Sequence, residues 1–297
     1  MRTSAVMAER GANALMPGEF PLTASDLKRI AEMLREDAGI FLSDGKAPLV
    51  YSRLSKRLRA LGLKNFREYC NLVASDEGSD ERKKMLAALT TNVTQFYREP
   101  HHFEHLEKRV LPPLLEAARR GGRVRLWSAA CSNGQEPYTM ALSVLKLLPD
   151  AASYDIRILA TDIDANMVAE GKRGVYSTAT LKPVPQELRK SWFTPLSDES
   201  DSEMAVGQEM RRLVIFKELN LLGTWPMRGR FDAIFCRNVV IYFEEETQQR
   251  VWSRFAPMLV PGSFLYIGHS ERISGPAAAS FQNDGVTTYR LREGGRS

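Results

Sequence analysis

The stretch at residues 126–141 reads LWSAACSNGQEPYTMA and predicts a β-strand that turns directly into an α-helix. Apolar residues from Val124 onward form the strand, small residues from Ser128 to Gly134 form the turn, and Pro137 is favoured in a first helical turn. Small residues let a ligand approach the backbone, and nucleotide-binding α/β proteins hold their ligand at such a turn, over the helix N-terminus. The stretch therefore predicts an α/β sheet with a ligand site at its edge.

Glu136 decides which ligand this turn suits. Its carboxylate stands where a dinucleotide site holds a pyrophosphate, and it would repel that group. The dinucleotide pattern G-x-G-x-x-G is also missing, because Ala130 and Asn133 occupy positions where glycine is expected. A ligand with a cationic or hydroxyl-rich part, such as the aminoacyl end of S-adenosylmethionine, suits the turn better. A nicotinamide-dependent oxidoreductase is the weaker functional alternative. The other alternative is that the turn has only a structural role and binds no ligand.

A second strand supports a cofactor site. Residues 158–177 read ILATDIDANMVAEGKRGVYS, in which an apolar strand ends at Asp162 and Asp164 is placed to cap a short helix. An acid at the end of the second strand of a nucleotide-binding unit commonly holds ribose hydroxyls. Asp162 is therefore the predicted ribose ligand, although a capping role is open to both acids.

Strand and helix patterns alternate from about residue 121 onward, which predicts a doubly wound, mostly parallel sheet of the Rossmann type. The interval 174–212 breaks this alternation and is too long for one connection. It contains three prolines and an acidic, serine-rich run that we expect to be flexible. We interpret the interval as an inserted small β-subdomain. The predicted strands are 123–128, 156–161, 213–219, 231–236 and 263–268, and the predicted helices lie near 136–148, 165–172 and 244–258.

An all-helical N-terminal domain is predicted ahead of the sheet, over residues 21–95, after a flexible tail at 1–20. Thr23 and Asp26 form a capping box in front of the first apolar helical pattern. The sheet domain, with its insertion, is assigned to residues 96–297.

The positive charge of the chain is concentrated in the helical domain. Seven cations and no acid lie between Gly45 and Arg67, so the rest of the chain is slightly acidic although the net charge is +5. Leu54, Leu58 and Leu61 recur there at helical spacing, and we expect a helix to bury this stripe. A charge run without compensating acids favours an acidic partner, either nucleic acid or an acidic protein helix, over a merely solvated face. The predicted partner-binding cations flank the apolar stripe: Arg53, Lys56, Arg57 and Arg59.

Composition argues against several other classes of protein. No apolar stretch approaches the ~20 residues of a membrane span, and the first twenty residues lack the apolar core of a signal peptide, so we expect a cytoplasmic protein. The three cysteines at positions 70, 131 and 236 give neither a disulfide framework nor a zinc site. Histidines cluster at positions 101, 102 and 105 without an HExxH pattern, and we expect no metal site.

Polar side chains follow further strands at the predicted ligand edge of the sheet. The stretch 231–243, FDAIFCRNVVIYF, is a buried strand followed by Arg237 and Asn238, with Tyr242 one turn later. The stretch 216–222, FKELNLL, places Asn220 after another strand. The stretch 91–103, TNVTQFYREPHHF, mixes polar and aromatic residues as a pocket wall does, and its polar members are Asn92, Thr94 and Arg98.

Together these blocks resemble the CheR family, the chemotaxis-receptor glutamate O-methyltransferases. The resemblance is carried by TNVTQFYREPHHF, WSAACSNGQEPYTMA, ATDID, FDAIFCRNVVIYF and PGSFLYIGHSE (261–271), in the family's usual order, and covers about residues 22–291. It implies S-adenosylmethionine as the methyl donor, S-adenosylhomocysteine as the product, and the cytoplasmic methylation region of chemotaxis receptors as the partner. It implies neither nucleic-acid binding nor membrane insertion, and no pattern specifies an oligomeric state.

The resemblance also assigns residues to the site. Arg98 and Tyr242 match family residues proposed to act near the transferred methyl group. Two positions depart from the family pattern, because Ala130 stands where glycine is usual and Gln135 where glutamate is usual. The added methyl group of Ala130 is expected to weaken cofactor binding. Nine positions match the family's contacts with S-adenosylmethionine: Asn92, Thr94, Arg98, Glu136, Asp162, Asn220, Leu221, Arg237 and Asn238.

Methyl transfer to a glutamate side chain requires no general base, because a carboxyl with the reference pKa of ~4.3 is already ionised at neutral pH. The enzyme has to align the carboxylate oxygen, the methyl carbon and the sulfur, and to exclude water. Two alternatives stay open. The basic helix favours a nucleic-acid methyltransferase, although the motifs lack an N/D-P-P-Y/F loop, and the fold would also suit a catalytically idle receptor-binding sensor.

Overall fold

The structure is a computed structural model that describes residues 14–196 and 202–294. It divides into two compact units. The first, called the helical unit, comprises Met1–Thr91 and Tyr242–Glu244. The second, called the sheet unit, comprises Asn92–Ile241 and Glu245–Ser297.

A short hairpin and a group of α-helices form the described part of the helical unit. The predicted capping box opens the first helix, since the Asp26 N–H donates to Thr23 Oγ and the Thr23 N–H donates to Asp26 Oδ2, both at 3.2 Å. The elements are β1 (Ala14–Met16), β2 (Leu22–Thr23), α1 (Ala24–Ala38), α2 (Ala47–Leu61), α3 (Phe66–Val73) and α4 (Ser79–Leu89).

Residues 14–20 were predicted as part of a flexible tail, but the structure places them in the helical unit. β1 pairs antiparallel with β2, and Phe20 is buried in the core of the unit. The Glu19 carboxylate accepts a hydrogen bond from Arg59 Nη2 on α2 at 2.6 Å. Burial of Phe20 explains the difference, because a single large apolar side chain fixes the short segment that leads into α1. Residues 1–13 of the predicted tail lie outside the described residues.

The apolar stripe of α2 supplies much of the core of the helical unit. Leu54 and Leu58 are fully buried, as the helical spacing predicts. Leu61, the last residue of the helix, is 40% exposed and does not join them. The other fully buried apolar residues of this core are Leu22, Ile30, Leu34, Val50, Phe66, Tyr69, Cys70, Val73 and Met85.

The sheet unit alternates strands and helices. A π-helical turn, Leu106–Val110, joins its first two helices. Its described strands are β3 (Val124–Ala129), β4 (Ile156–Asp162), β5 (Val175–Ser177), β6 (Phe193–Pro195), β7 (Glu203–Val206), β8 (Val214–Glu218), β9 (Phe231–Cys236), β10 (Leu259–Ile267), β11 (Phe281–Asn283) and β12 (Thr288–Leu291). Its described helices are α5 (Pro100–His105), α6 (Leu111–Arg119), α7 (Gln135–Leu147), α8 (Ala165–Arg173), α9 (Gln186–Trp192), α10 (Gln208–Leu213) and α11 (Glu245–Phe255).

The main sheet confirms the predicted doubly wound, mostly parallel fold. Its strand order is β11-β12-β10-β9-β3-β4-β8, and only the pairings of β12 with β10 and β11 are antiparallel. From β3 the chain proceeds outward through β4 to β8, and then returns to β9 on the other side of β3. The strand order therefore reverses between β3 and β9. In open α/β sheets the crevice at the carboxyl ends of such strands is where ligands bind.

The interval after α8 contains the predicted inserted β-subdomain. β5 and β6 both pair antiparallel with β7, which gives a three-stranded sheet separate from the main one. Residues 197–201 of the acidic, serine-rich run lie outside the described residues. Among those that are described, no helix is both long and apolar enough to span a lipid bilayer.

Candidate functional site

Glu136 places a buried carboxylate at the point where the strand order reverses. It lies in the first turn of α7, directly after the turn that follows β3. Ser128 Oγ donates to Glu136 Oε1 at 2.7 Å, and Arg237 Nη1 donates to Glu136 Oε2 at 2.9 Å. Burial raises the pKa of Glu136, while the Arg237 guanidinium and the Ser128 hydroxyl favour its ionised form. The result is a buried ion pair that joins the ends of β3 and β9.

Arg237 bridges a second carboxylate. Its Nη2 lies 3.2 Å from Glu99 Oε2 and also donates to the backbone carbonyl of Arg98. The guanidinium lies over the ring of Phe103, 5.6 Å from the ring centroid. Two carboxylates thus share one cation, and we call Glu99, Arg237 and Glu136 the carboxylate–arginine network.

Glu99 lies in the stretch 91–103, between Arg98 and the start of α5, and no role was predicted for it. Its Oε1 accepts the His269 N–H at 3.2 Å and lies 3.0 Å from His269 Nδ1. Burial by itself would raise the pKa of Glu99, but Arg237 and the His269 donors outweigh it and lower the pKa to about 2. Both Glu99 and Tyr97 have φ of 55°, in the left-handed region that costs an L-residue ~1–2 kcal/mol. Strain of this kind persists where the surrounding contacts impose it.

Glu271 fixes the backbone that carries Arg237 and Asn238, and it was also missed. Its carboxylate accepts backbone N–H groups from Asn238 at 3.0 Å, Val239 at 2.9 Å, Val240 at 2.8 Å and Gly268 at 2.6 Å. Burial raises the pKa of Glu271, and these backbone donors oppose that shift. A Cβ atom on Gly268 would lie 2.4 Å from Asn238 Nδ2, so only glycine lets the two loops approach this closely.

Asp162 links the two loops that follow β3 and β4. Its Oδ2 accepts the Ser132 N–H at 2.7 Å and its Oδ1 accepts the Asp164 N–H at 3.0 Å. Burial raises the pKa of Asp162 to about 6, although these donors lower it in part. Asp162 therefore has a structural role that the sequence did not reveal, and each carboxylate oxygen keeps a lone pair for a ligand. Asp164 caps α8 as predicted, and Asn92 Nδ2 donates to it at 3.1 Å.

The small residues of the turn after β3 serve the backbone and the packing of the protein. Ala130 has φ of 70° and Gly134 has φ of 93°. A Cβ atom on Gly134 would come within 2.9 Å of both Phe216 and the Tyr176 hydroxyl, so glycine is needed there for contact with protein atoms and not for approach of a ligand. Ala130, where the family pattern has glycine, is held in a left-handed conformation that glycine adopts without strain.

The remaining predicted cofactor contacts lie on two loops of the sheet unit. Arg98 Nη1 donates to the Val93 carbonyl at 2.8 Å. Thr94, which directly follows Val93, is partly buried. Asn220 Oδ1 accepts the Leu222 N–H at 2.9 Å. The Leu221 carbonyl accepts Arg254 Nη1 at 2.5 Å and Trp225 Nε1 at 3.2 Å. Arg254 and Trp225, which support this loop, were not predicted.

Tyr242 and the basic helix fall in the helical unit, whereas the other predicted site residues fall in the sheet unit. Within the helical unit, the Tyr242 carbonyl accepts the Phe41 N–H at 2.7 Å, and Phe243 forms a β-bridge with Ile40.

Three of the four predicted partner-binding cations of α2 have partners in the structure, contrary to the local sequence. Arg57 donates to both carboxylate oxygens of Glu81, at 2.9 and 2.6 Å, and Arg59 pairs with Glu19. Arg53 donates to carbonyls at the end of α4, including that of Leu89 at 3.0 Å. The run looked uncompensated because the acids lie 24 and 40 residues away along the chain. Lys56 is exposed to solvent.

Three side chains could be read as a metal site. Glu99, His101 and His102 offer ligand atoms within 4.8 Å of one another. Burial lowers the pKa of His102 to about 3 and keeps it neutral, but the Arg237 guanidinium beside Glu99 would repel a metal cation. The absence of a metal site stays a prediction.

Two protein-family models match this chain. "CheR methyltransferase, all-alpha domain" matches residues 25–90, and "CheR methyltransferase, SAM binding domain" matches residues 92–290. The chain belongs to the CheR family.

Curated relatives agree with this membership over most of their length. A probable chemotaxis protein methyltransferase of Rhizobium etli is 56% identical over 258 residues, which cover 87% of this chain and 96% of that protein. The chemotaxis protein methyltransferase of Escherichia coli is 40% identical over 280 residues, covering 93% and 94%. That of Klebsiella aerogenes is 39% identical over 292 residues, covering 97% of each.

The chemistry of the site fits the cofactor of the CheR family. Buried polar atoms without a hydrogen bond among the described residues include Glu99 Oε2, Arg237 Nε and Gln135 Oε1. S-adenosylmethionine carries an ammonium group, a carboxylate and ribose hydroxyls, and these are the groups that such donors and acceptors can satisfy. The match to the SAM binding domain covers all of these residues.

Proposed function

We propose that the protein transfers a methyl group from S-adenosylmethionine to glutamate side-chain carboxylates of chemotaxis receptors in the cytoplasm, giving glutamate methyl esters. The observations that carry the proposal are the carboxylate–arginine network and the Asp162 carboxylate, which lie at the ends of neighbouring parallel strands, at the carboxyl edge of a doubly wound sheet. Membership of the CheR family and the names of the relatives support a chemotaxis methyltransferase.

The proposed cofactor site divides the work between two acids. Asp162 accepts hydrogen bonds from the ribose hydroxyls, and Glu136 lies near the aminoacyl part. The other proposed contacts are Asn92, Thr94, Arg98, Asn220, Leu221, Arg237 and Asn238. When bound, S-adenosylmethionine supplies a methyl group on a positively charged sulfur.

Arg98 and Tyr242 are the proposed residues of the transfer step. The Arg98 guanidinium orients the receptor carboxylate through charge-assisted hydrogen bonds, and Tyr242 lines the site of transfer. Because the carboxylate and the sulfonium neutralise each other during transfer, exclusion of water favours the reaction. Arg98 has to position the carboxylate without strongly stabilising the negative charge on the attacking oxygen, since a strongly stabilised oxygen is a weaker nucleophile.

The same proposal assigns a task to each region of the chain. Residues 21–95 dock on the receptor, residues 96–297 bind the cofactor and carry out the transfer, and the insertion at about 174–212 is a separate element of the second region. A nucleic-acid methyltransferase is less well supported than the sequence suggested, because Arg57 and Arg59 are paired with carboxylates.

Transfer can be measured with methyl-tritiated S-adenosylmethionine and a purified cytoplasmic fragment of a chemotaxis receptor. We expect radioactivity in the fragment that is released as methanol by alkali, because an ester is labile to base. A fragment whose methylation-site glutamates are replaced by alanine is the control and should stay unlabelled. Labelling of DNA or RNA instead of the fragment would support the nucleic-acid alternative, and no labelling of any acceptor would support the idle sensor.

Arg98→Lys is expected to lower the rate of receptor methylation by about one to two orders of magnitude. The lysine keeps the charge but loses the planar fork that aligns a carboxylate. The melting temperature should stay close to that of the wild type, because among the described residues the Arg98 side chain makes one hydrogen bond, to the Val93 carbonyl. A lysine variant with full activity would remove Arg98 from the transfer step.

Reversing the charge of Lys56 and Arg59 to glutamate should raise the apparent KM for the receptor fragment about fivefold at low salt, and less at high salt. Both side chains are exposed, and Arg59 gives up only a surface ion pair. Arg53 and Arg57 are left intact because they hold α2 to α4. The variant Arg119→Glu/Arg120→Glu, which changes two exposed cations of the sheet unit, is the charge-matched control. Equal KM values for both variants would place the docking surface elsewhere.

A further inference from the structure

The carboxylate–arginine network has one negative charge more than it needs for its own pairing. Glu99 and Glu136 each contribute a carboxylate, and the guanidinium of Arg237 compensates one of them. The side chains of both glutamates are 11% exposed and that of Arg237 is 2% exposed. Charges in such surroundings interact more strongly and are less screened by salt than charges in water.

The charged groups around the network do not cancel this excess. The Arg98 side chain donates to the Val93 carbonyl, and the backbone carbonyl of Arg98 accepts a hydrogen bond from Arg237. His269 contacts Glu99 from a side chain that is 67% exposed. Glu99 Oε2 is buried and lies 3.2 Å from Arg237 Nη2 and 3.5 Å from Nδ1 of His102, whose lowered pKa keeps it neutral, and it accepts no well-oriented hydrogen bond among the described residues. A buried carboxylate in this condition favours a ligand that brings positive charge.

We propose that Glu99 sets how strongly the site distinguishes S-adenosylmethionine from S-adenosylhomocysteine. This inference rests on the proposed function. The two molecules differ by one positive charge, because the sulfur of the first is a sulfonium and that of the second is a neutral thioether. The excess charge of the network attracts the first and is indifferent to the second, so Glu99 favours binding of the methyl donor and release of the product. Glu99 acts on specificity through its charge.

Glu99→Gln tests this role because glutamine keeps the shape of the side chain and removes its charge. Calorimetric titrations give the dissociation constants of the wild type and the variant for both molecules. We expect the affinity for S-adenosylmethionine to fall about tenfold relative to the affinity for S-adenosylhomocysteine. This is the order expected for one unit charge acting across roughly 10 Å of partly desolvated protein. A loss of packing or of hydrogen bonds would weaken the binding of both molecules equally and leave the ratio of their dissociation constants unchanged.

Asp232→Asn is the control for removing a half-buried carboxylate of the sheet unit, one that accepts the Arg125 N–H. Asp232 lies at the start of β9, and Arg237 directly follows the end of this six-residue strand, about 17 Å away at the rise of a β-strand. Asp232→Asn should leave the ratio of the dissociation constants for the two molecules unchanged. Glu99→Asp, which keeps the charge on a shorter side chain, should weaken the binding of both molecules and retain most of the preference for S-adenosylmethionine.

His269→Lys gives a second route that does not alter a buried residue. The exposed side chain at this position contacts Glu99, so a lysine there should neutralise the excess charge and shift the ratio in the same direction, whereas His269→Gln should not. Unchanged ratios in both Glu99→Gln and His269→Lys would overturn the inference while the wild type still binds both molecules. Failure of the wild type to bind either molecule would instead contradict the proposed function.

Discussion

Replacing Arg237 by methionine is expected to destabilise the protein by about 3–5 kcal/mol, which is the cost of removing one partner from a buried ion pair. Methionine fills a similar volume, so the cavity contribution is small. The variant leaves Glu99 and Glu136 buried without the cation that both contact, at 3.2 and 2.9 Å in the wild type. Urea unfolding followed by circular dichroism measures the loss.

The pH dependence of this variant separates charge from packing. In the wild type the lowered pKa of Glu99 means that its pairing stabilises the fold above the unfolded-state pKa of ~4.3, and that this contribution is lost as the pH falls toward 2. In Arg237→Met the folded-state pKa values of the two carboxyls should lie above their unfolded values. Stability is then lost as the pH rises through them, and the variant should be closer to the wild type at pH 5 than at pH 8.

A triple variant completes the test of Arg237. Arg237→Met combined with Glu99→Gln and Glu136→Gln removes every charge of the network and should recover much of the stability, because a neutral replacement of a buried ion pair is often tolerated. A single Arg237→Met variant as stable as the wild type at pH 8 would show that the network is solvated and contributes little.

Glu271→Ala should destabilise the protein by about 3 kcal/mol. The change leaves several backbone N–H groups without their acceptor, and each buried unsatisfied donor costs about 1–3 kcal/mol, less where water enters. Binding of S-adenosylmethionine should weaken as well, because Glu271 fixes the backbone of Asn238. Thermal unfolding and calorimetry measure the two effects.

Two variants bracket the Glu271 prediction. Glu271→Gln keeps one oxygen acceptor but turns an amide donor toward the other N–H groups, so its loss of stability should fall between those of the wild type and Glu271→Ala. Glu246→Ala, which removes an exposed carboxylate in the first turn of α11, should change stability by no more than about 0.5 kcal/mol. A Glu271→Ala variant as stable as Glu246→Ala would contradict the role of Glu271.

Much of the fold could be predicted because its signals are local. The capping box at Thr23 and the cap at Asp164 each depend on residues two or three positions apart, and both are confirmed. β9 has the predicted bounds because its apolar run is uninterrupted. β10 begins at Leu259, four residues before its predicted start, because Pro261 and Gly262 break the strand pattern while the strand continues through an irregular register.

The parts of the site that were missed depend on contacts that are distant along the chain. His269 N–H reaches Glu99 across 170 residues, and Asn238 reaches Glu271 across 33. Neither glutamate stands at the end of a predicted strand, which was the signal used for Asp162 and Arg237. The acids that compensate α2 were overlooked for the same reason, because a local count of charges does not include Glu19 or Glu81.

Calorimetric titration of the wild type and of Asp162→Ala shows whether the acids that follow β3 and end β4 hold S-adenosylmethionine. We predict that the wild type binds S-adenosylmethionine and S-adenosylhomocysteine with one site per chain and does not bind NAD. Asp162→Ala should weaken binding by about 1.5–3 kcal/mol, the range for hydrogen bonds to a charged group. Wild-type protein that binds NAD in place of S-adenosylmethionine, or a folded Asp162→Ala variant with unchanged affinity, would show that these acids do not form an S-adenosylmethionine site.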